Sequence, residues 1–494
     1  MIDTAFVQEK LTRLLTEIGT GWMLNTAYDT AWVARLAEHD KVLGESALEW
    51  LRAHQLPDGS WGTENPRYYH DRLICTMAAM AALAKYGTDA DRHRWQRARL
   101  ALRTLVNGLQ ADPTGATVGF EMIAPTLLSE ARTLGLVEDE GREVLEKLER
   151  YRAAKIAALP SGMVNRFVTV AFSSEMVGPD GIHLLDVDNL QESNGSLGHS
   201  PSATAYFLLH VRPDDPAALA YLRQVASDDG GVPNVAPFDV FEQAWTLWNL
   251  MLLGDPDEDT RALCQPHLDF LNKAWVPGVG IGHAIGYTPK DGDDTGLVFE
   301  VLTRYGSSVD MEAVRSYEED DHYRCFALES NSSISANIHV LGALREAGLP
   351  ASHPSVRKVI GFLDRVQTIR LFWFDKWHTS PYYTTSHLVI VAAGYADDLI
   401  DNAAFWIMET QNADGSWGYY MPTGEETAYC LQALVLWKRA GHKVPDEVLQ
   451  RGANWLMRHI DDPVPPLWIG KCLYAPVQVV RSAIYSALLL VAQG

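Results

Sequence analysis

The sequence predicts an all-α chain of the α/α-barrel kind, and three observations carry that prediction. Apolar residues recur at i, i+3, i+4 spacing, no convincing alternating strand pattern interrupts them, and one turn motif returns along the chain. The helical spacing is clearest over 47–55, 71–86, 244–253 and 446–460, and Gly and Pro clusters separate these segments. The turn reads Gln55-Leu56-Pro57-Asp58-Gly59-Ser60-Trp61-Gly62 and again Gln411-Asn412-Ala413-Asp414-Gly415-Ser416-Trp417-Gly418. A degenerate copy, Gln191-Glu192-Ser193-Asn194-Gly195-Ser196-Leu197-Gly198, has lost its tryptophan. In each copy a helix ends in an Asp-Gly or Asn-Gly turn, the Gln side chain hydrogen-bonds the next helix end, and Trp, where it is kept, packs over the turn. Repeats of this kind tie the outer to the inner helices of a barrel, which is a structural role.

Composition bounds the function. The chain of 494 residues is long enough for two domains with ample core, and 47% of it is hydrophobic. No stretch approaches the ~20 unbroken apolar residues of a membrane span, and the charged start, MIDTAFVQEKLTRLL, lacks a signal core. Cys75, Cys264, Cys325, Cys430 and Cys472 are scattered and odd in number, which argues for a reducing cytoplasm and against a disulfide frame or zinc site. The net charge of −22 argues against a nucleic-acid partner.

The chemistry concentrates in Asp291-Gly292-Asp293-Asp294-Thr295, followed by the apolar Gly296-Leu297-Val298-Phe299. Three carboxyls this close cannot all ionise if buried, so at least one is expected to keep its proton near neutrality. A neutral carboxylic acid in an apolar pocket can protonate a carbon–carbon double bond. Taken alone, the spacing equally suits a solvated turn or a divalent-cation site.

Together, the Gln-to-Trp-Gly turns and the Asp-x-Asp-Asp-Thr motif resemble the terpene cyclases that start by protonation. The finer resemblance is to class II diterpene cyclases. It is carried by Tyr28-Asp29-Thr30-Ala31-Trp32-Val33-Ala34, Tyr69-His70-Asp71-Arg72-Leu73, Val118-Gly119-Phe120-Glu121 and Ser200-Pro201-Ser202-Ala203-Thr204-Ala205. Val232-Pro233-Asn234-Val235, Asp375-Lys376-Trp377 and Trp468-Ile469-Gly470-Lys471 continue it, in order, from about 25 to 474. Among the bacterial copalyl, halimadienyl and kolavenyl diphosphate synthases, the halimadienyl type is nearest.

The resemblance implies two helical domains with the active site between them: a β domain of 1–36 plus 233–494, and a γ domain of 37–232 inserted after the first β helix. It implies no class I α domain; Asp397-Asp398-Leu399-Ile400-Asp401 spells the class I metal motif but reads as a helix N-terminus with favourable charge. It further implies Asp293 as the general acid toward geranylgeranyl diphosphate, Asp291 and Asp294 keeping its proton in place, and His339 as the acid's partner. Carbocations need aromatic faces, for which Trp245, Trp373, Trp377, Tyr382 and Tyr383 are candidates. Lys155 and Lys376 match basic positions near the diphosphate, with Mg²⁺ as cofactor and its carboxylate ligands unplaced.

One departure bears on the product. Plant enzymes making copalyl diphosphate use a His–Asn pair to hold the terminating water; Asn234 matches the Asn, but Phe172 stands at the His position. Without that base the first bicyclic cation lives longer and migrates, so the expected product is a rearranged halimadienyl or kolavenyl diphosphate. Unrearranged copalyl diphosphate is the alternative. Outside the class stand a squalene-hopene type cyclase, a zinc prenyltransferase subunit and a non-enzymatic barrel scaffold. The product keeps its diphosphate, so a class I terpene synthase or a phosphatase is the expected downstream partner.

Overall fold

The computed structural model describes residues 2–137, 142–327, 329 and 331–494, with only the backbone described at 142–145. Six helices form a closed inner ring: Asp239–Met251, Gly292–Arg304, Ile334–Glu346, Pro381–Ala392, Gly424–Arg439 and Val477–Gln493. Each contacts the next, and the last contacts the first. Thr4–Glu17, Glu258–Ala274, Pro354–Arg365, Asp397–Glu409 and Asp446–Arg458 pack outside them. A second ring is built from Ala27–Ala34, Tyr69–Tyr86, Phe120–Thr133, the 3₁₀ segment Thr169–Val177 and Pro201–His210.

Each ring has its own core. One apolar cluster runs from Val7 to Met23 and from Val235 to Val491; the other runs from Ala27 to Val232 and includes Cys472. Residues 27–34, assigned from the sequence to the first unit, therefore pack in the second. The whole helix Ala27–Ala34 is buried there, with Trp32 set edge-on to Tyr206 at 6.1 Å.

The turn motif recurs more often than its letters do. The Nε1–H of Trp61 donates to the Leu51 carbonyl at 2.8 Å, Trp417 to Ile407 at 2.7 Å and Trp373 to Leu363 at 2.8 Å. In each case the indole closes onto the carbonyl ten residues back. The backbone N–H following each turn meets a threonine hydroxyl on the next inner helix: Trp61–Thr76, Leu197–Thr204, Val232–Thr30, Ile281–Thr295, Trp373–Thr385 and Trp417–Thr427. The Gln side chains of 55 and 411 bridge the turn carbonyl and the end of the neighbouring helix, as expected.

Five of the inner helices begin on side-chain caps. Asp291, Ser333, Ser380, Thr423 and Ser200 each accept a backbone N–H of the first turn. Between the rings lies a short hairpin, Trp468–Ile469 paired with Leu473–Tyr474. Among the described residues no helix is long and apolar enough to cross a membrane.

Candidate active site

Asp293 sits in the first turn of the helix Gly292–Arg304, the acid helix, and its neighbour Ile334–Glu346 supplies two partners one turn apart. His339 Nδ1 lies 2.5 Å from Asp293 Oδ1, and the Ser335 hydroxyl donates to Oδ2 at 2.9 Å. Ser335 and His339 are i, i+4 on one helix face, so both reach the same carboxyl. The His339 side chain is fully buried, whereas Asp293 keeps 14% exposure and is the acid of the motif open to a substrate.

Two glycines bring these helices together. A Cβ at Gly296 would stand 3.0 Å from the His339 carbonyl carbon, and one at Gly342 would stand 2.3 Å from Glu300 Oε2. Asp375 anchors the start of the second helix, its Oδ1 accepting from Ile334 N at 2.7 Å and Ser335 N at 3.3 Å.

The other two acids play a different part. Asp291 caps the acid helix by accepting the Asp294 N–H at 2.7 Å. Burial pushes both carboxyls up from the usual range, and the Asp291 charge adds to the rise at Asp294. Asp291 Oδ2 and Asp294 Oδ1 are buried without a hydrogen-bond partner.

Aromatic faces close around the acid. Trp245 is edge-on to His339 at 5.3 Å, Phe241 stacks on Trp245 at 3.8 Å, and Trp468 is edge-on to Phe241 at 5.4 Å. Tyr383 lies 4.8 Å from Trp468, and Trp377 is half-buried 6.3 Å from Phe326. Two expected members are elsewhere. Trp373 is a staple of the turn repeat, its indole spent on the Leu363 carbonyl. Tyr382 stacks on Trp406 of an outer helix at 4.8 Å, because adjacent helical residues point apart and Tyr383 takes the inward position.

Phe172 and Asn234 meet the same hairpin from different sides. Asn234 donates to Asp29 Oδ2 at 2.9 Å, leaves its Oδ1 unpartnered, and lies so close under Gly470 that a Cβ there would stand 2.0 Å from that oxygen. Phe172 packs against the first unit's core and presents a ring face 4.4 Å from Lys471 Nζ. Lys471 is fully buried, paired with Glu175 at 2.8 Å and donating to the Phe172 carbonyl and to Ser200 and Ser202. Nothing in the sequence reading singled out this buried charge; its Trp-x-Gly-Lys setting was the available signal.

The two lysines expected near a diphosphate lie on different units. Lys155 is half-buried and 3.8 Å from Glu121, while Lys376 pairs with Glu329 at 2.5 Å and donates to the Asn331 carbonyl at 2.6 Å. The Asp397 motif opens the helix Asp397–Glu409, where Asp397 accepts from Gly394 N and His442, as a helix N-terminus does. A cleft of about 960 Å³ between the units is lined by Trp22, Trp50, Asp71, Cys75, Pro465 and Tyr474, and Asp293 is not among its walls.

Comparison with known proteins bears on the family. The profile of the squalene-hopene cyclase C-terminal domain matches residues 325–462. A type B diterpene cyclase of Mycobacterium tuberculosis is 45% identical, covering 96% of this chain and 97% of its own. Labda-7,13-dienyl diphosphate synthase of Streptomyces clavuligerus is 31% identical over 94% of this chain and 88% of its own. The structure of ent-copalyl diphosphate synthase from Streptomyces platensis superposes with a TM-score of 0.79 at 30% identity, covering 99% of both chains. By these likenesses the chain belongs to the class II diterpene cyclases.

Proposed function

We propose that the chain converts geranylgeranyl diphosphate, by protonation, into a rearranged bicyclic diterpenyl diphosphate of halimadane or clerodane skeleton. The observation that carries this reading is the Asp293–His339–Ser335 constellation opening among aromatic faces. Neutral Asp293 gives its proton to the terminal double bond. A C–H bond forms, the O–H electron pair stays on the carboxylate, and the adjacent carbon becomes a tertiary cation that the next double bond attacks. His339 N–H and Ser335 O–H then both donate to the new carboxylate, which lowers the cost of losing the proton. Trp245, Phe241, Tyr383 and Trp468 offer π faces to the moving charge and no strong base to quench it.

Loss of a different proton ends the reaction, so the product is an isomer of the substrate and the enzyme is an isomerase. Phe172 at the seam supplies no base, and this favours hydride and methyl shifts over early deprotonation. Mg²⁺ would accompany the substrate's diphosphate and neutralise its charge there. The three-ligand group among the described residues, Asp71 with Cys75 and Cys472, does not fit that ion. It brings two soft thiols, and both Asp71 oxygens already accept backbone N–H bonds from Thr63 and Leu473. Since the diphosphate is retained, removing it falls to a second, class I enzyme or to a phosphatase.

The test is incubation of the purified chain with geranylgeranyl diphosphate and Mg²⁺, followed by phosphatase treatment and gas chromatography–mass spectrometry. Wild type should give a bicyclic diterpene alcohol, and Asp293→Asn should reduce it by at least ~10³-fold. Unchanged geranylgeraniol from wild type, or full turnover by Asp293→Asn, would sink the reading.

A further inference from the structure

Behind the acid lies a second histidine that the reaction as described leaves unused. His387, on the helix Pro381–Ala392, is 1% exposed, and its Nδ1 is 3.2 Å from His339 Nε2. Trp248 stacks on its ring at 4.6 Å, Tyr429 meets it edge-on at 5.0 Å, and Tyr383 lies at 4.4 Å. Its Nε2 is buried with no hydrogen-bond partner. The ring is thus held by stacking, and its one hydrogen bond goes to His339.

We propose that His387 is a positioning residue: it donates Nδ1–H to His339 Nε2 and thereby fixes His339 as an Nδ1–H donor to Asp293. This rests on the reading of Asp293 as the acid. For Asp293 to hold a proton at rest, His339 must be neutral, since an imidazolium 2.5 Å away favours the carboxylate. For the carboxylate left behind to be stabilised, the single proton of His339 must sit on Nδ1. Nε2 is then a buried lone pair, and its partner must supply an N–H. His387 Nδ1 is the atom placed to do so. Burial among aromatic rings keeps His387 neutral, lowering its proton affinity well below that of a free histidine, so it carries one proton and can donate it to one place. The chain Asp293–His339–His387 has a single polarity, with each N–H pointing toward the acid. A carboxylate or carbonyl behind a ligating histidine fixes its tautomer in the same manner.

The test compares His387→Phe, which keeps aromatic bulk and removes the donor, with His387→Asn, whose amide N–H can occupy the Nδ1 position. With geranylgeranyl diphosphate and Mg²⁺, His387→Phe should lose kcat on the order of 10–100-fold with little change in KM. His387→Asn should recover most of that loss. In ¹⁵N-histidine-labelled wild type, His339 should show protonated Nδ1 and unprotonated Nε2, and in His387→Phe a mixture of tautomers. Wild-type kcat in His387→Phe beside an inactive Asp293→Asn would overturn the proposal and leave the acid reading standing. Product formation by Asp293→Asn would overturn the acid reading itself. Should His387→Phe fail to fold, His339 found protonated at Nε2 in wild type overturns the proposal without any variant.

Discussion

Asp293 is distinguished from its neighbours by partners rather than by position in the motif. All three acids lie within one turn, yet Asp291 caps the helix, Asp294 is buried, and Asp293 alone of them accepts from Ser335 and meets His339. The meeting of Asp293 with His339 was legible, because a dense acidic motif and a matching segment carry the two residues. Ser335 stood in that same segment, four residues before His339, and was missed for want of an i, i+4 reading. Trp373 and Tyr382 were misread because residue type says aromatic but not which way the ring faces. Phe172 is the residue on which the proposed rearranged product rests. Placing a base there, Phe172→His, should divert part of the product to unrearranged copalyl diphosphate, read as a new peak by gas chromatography–mass spectrometry. An unaltered product profile with retained activity would remove Phe172 from the argument.

At the scale of elements, the acid helix and its neighbour approach closely enough at Gly296 and Gly342 to fix the Asp293–His339 distance. Packing this tight buries Glu300, whose Oε2 accepts from Trp248 Nε1 at 3.1 Å. Burial pushes its carboxyl from 4.5 up to about 7, the Trp248 bond offsetting only part of the rise. The folded chain then keeps a proton that the unfolded chain releases. That contribution to stability is complete below the unfolded value of 4.5 and is lost as pH rises toward 7. The loss amounts to ~3 kcal/mol from this group. Glu300→Gln removes the titration while keeping an acceptor for Trp248. Its Tm should therefore fall less between pH 5 and pH 8 than that of wild type, by a few degrees in a differential scanning experiment. Equal slopes would mean Glu300 ionises normally. Helices and their turns were readable from spacing alone. The six-fold recurrence of the N–H to threonine contact was not, because it survives where Trp and Ser have been replaced and leaves only a backbone signature.

Across the whole molecule, the site depends on both units through one hairpin. Trp468 meets Phe241 and Tyr383 of the first ring and hydrogen-bonds Glu425 at 2.7 Å. Lys471, three residues on, is buried against Glu175 and Ser202 of the second ring. The boundary falls near 25 rather than 36 because the helix Ala27–Ala34 closes the second ring by contacting both Tyr69–Tyr86 and Pro201–His210. Where one core stops is a packing property no motif records. Deleting 477–494 should open the first ring and leave the second intact. Limited proteolysis with mass spectrometry should then yield a resistant fragment close to 27–232, and uniform degradation would count against the independence of the two cores.

The closure of the first ring also orders events during synthesis. Its opening helix, Thr4–Glu17, packs against its final one, Val477–Gln493, while the second ring is contained in the stretch between. As the chain leaves the ribosome, the second core can collapse as soon as residue 232 has emerged. The first helix, with Val7, Leu11, Leu14 and Leu15 on its apolar face, finds a first contact in Glu258–Ala274 but must wait for its main partner, made last. At ~5–20 residues per second that delay is on the order of half a minute, during which an apolar stripe is open to chaperones and to other nascent chains.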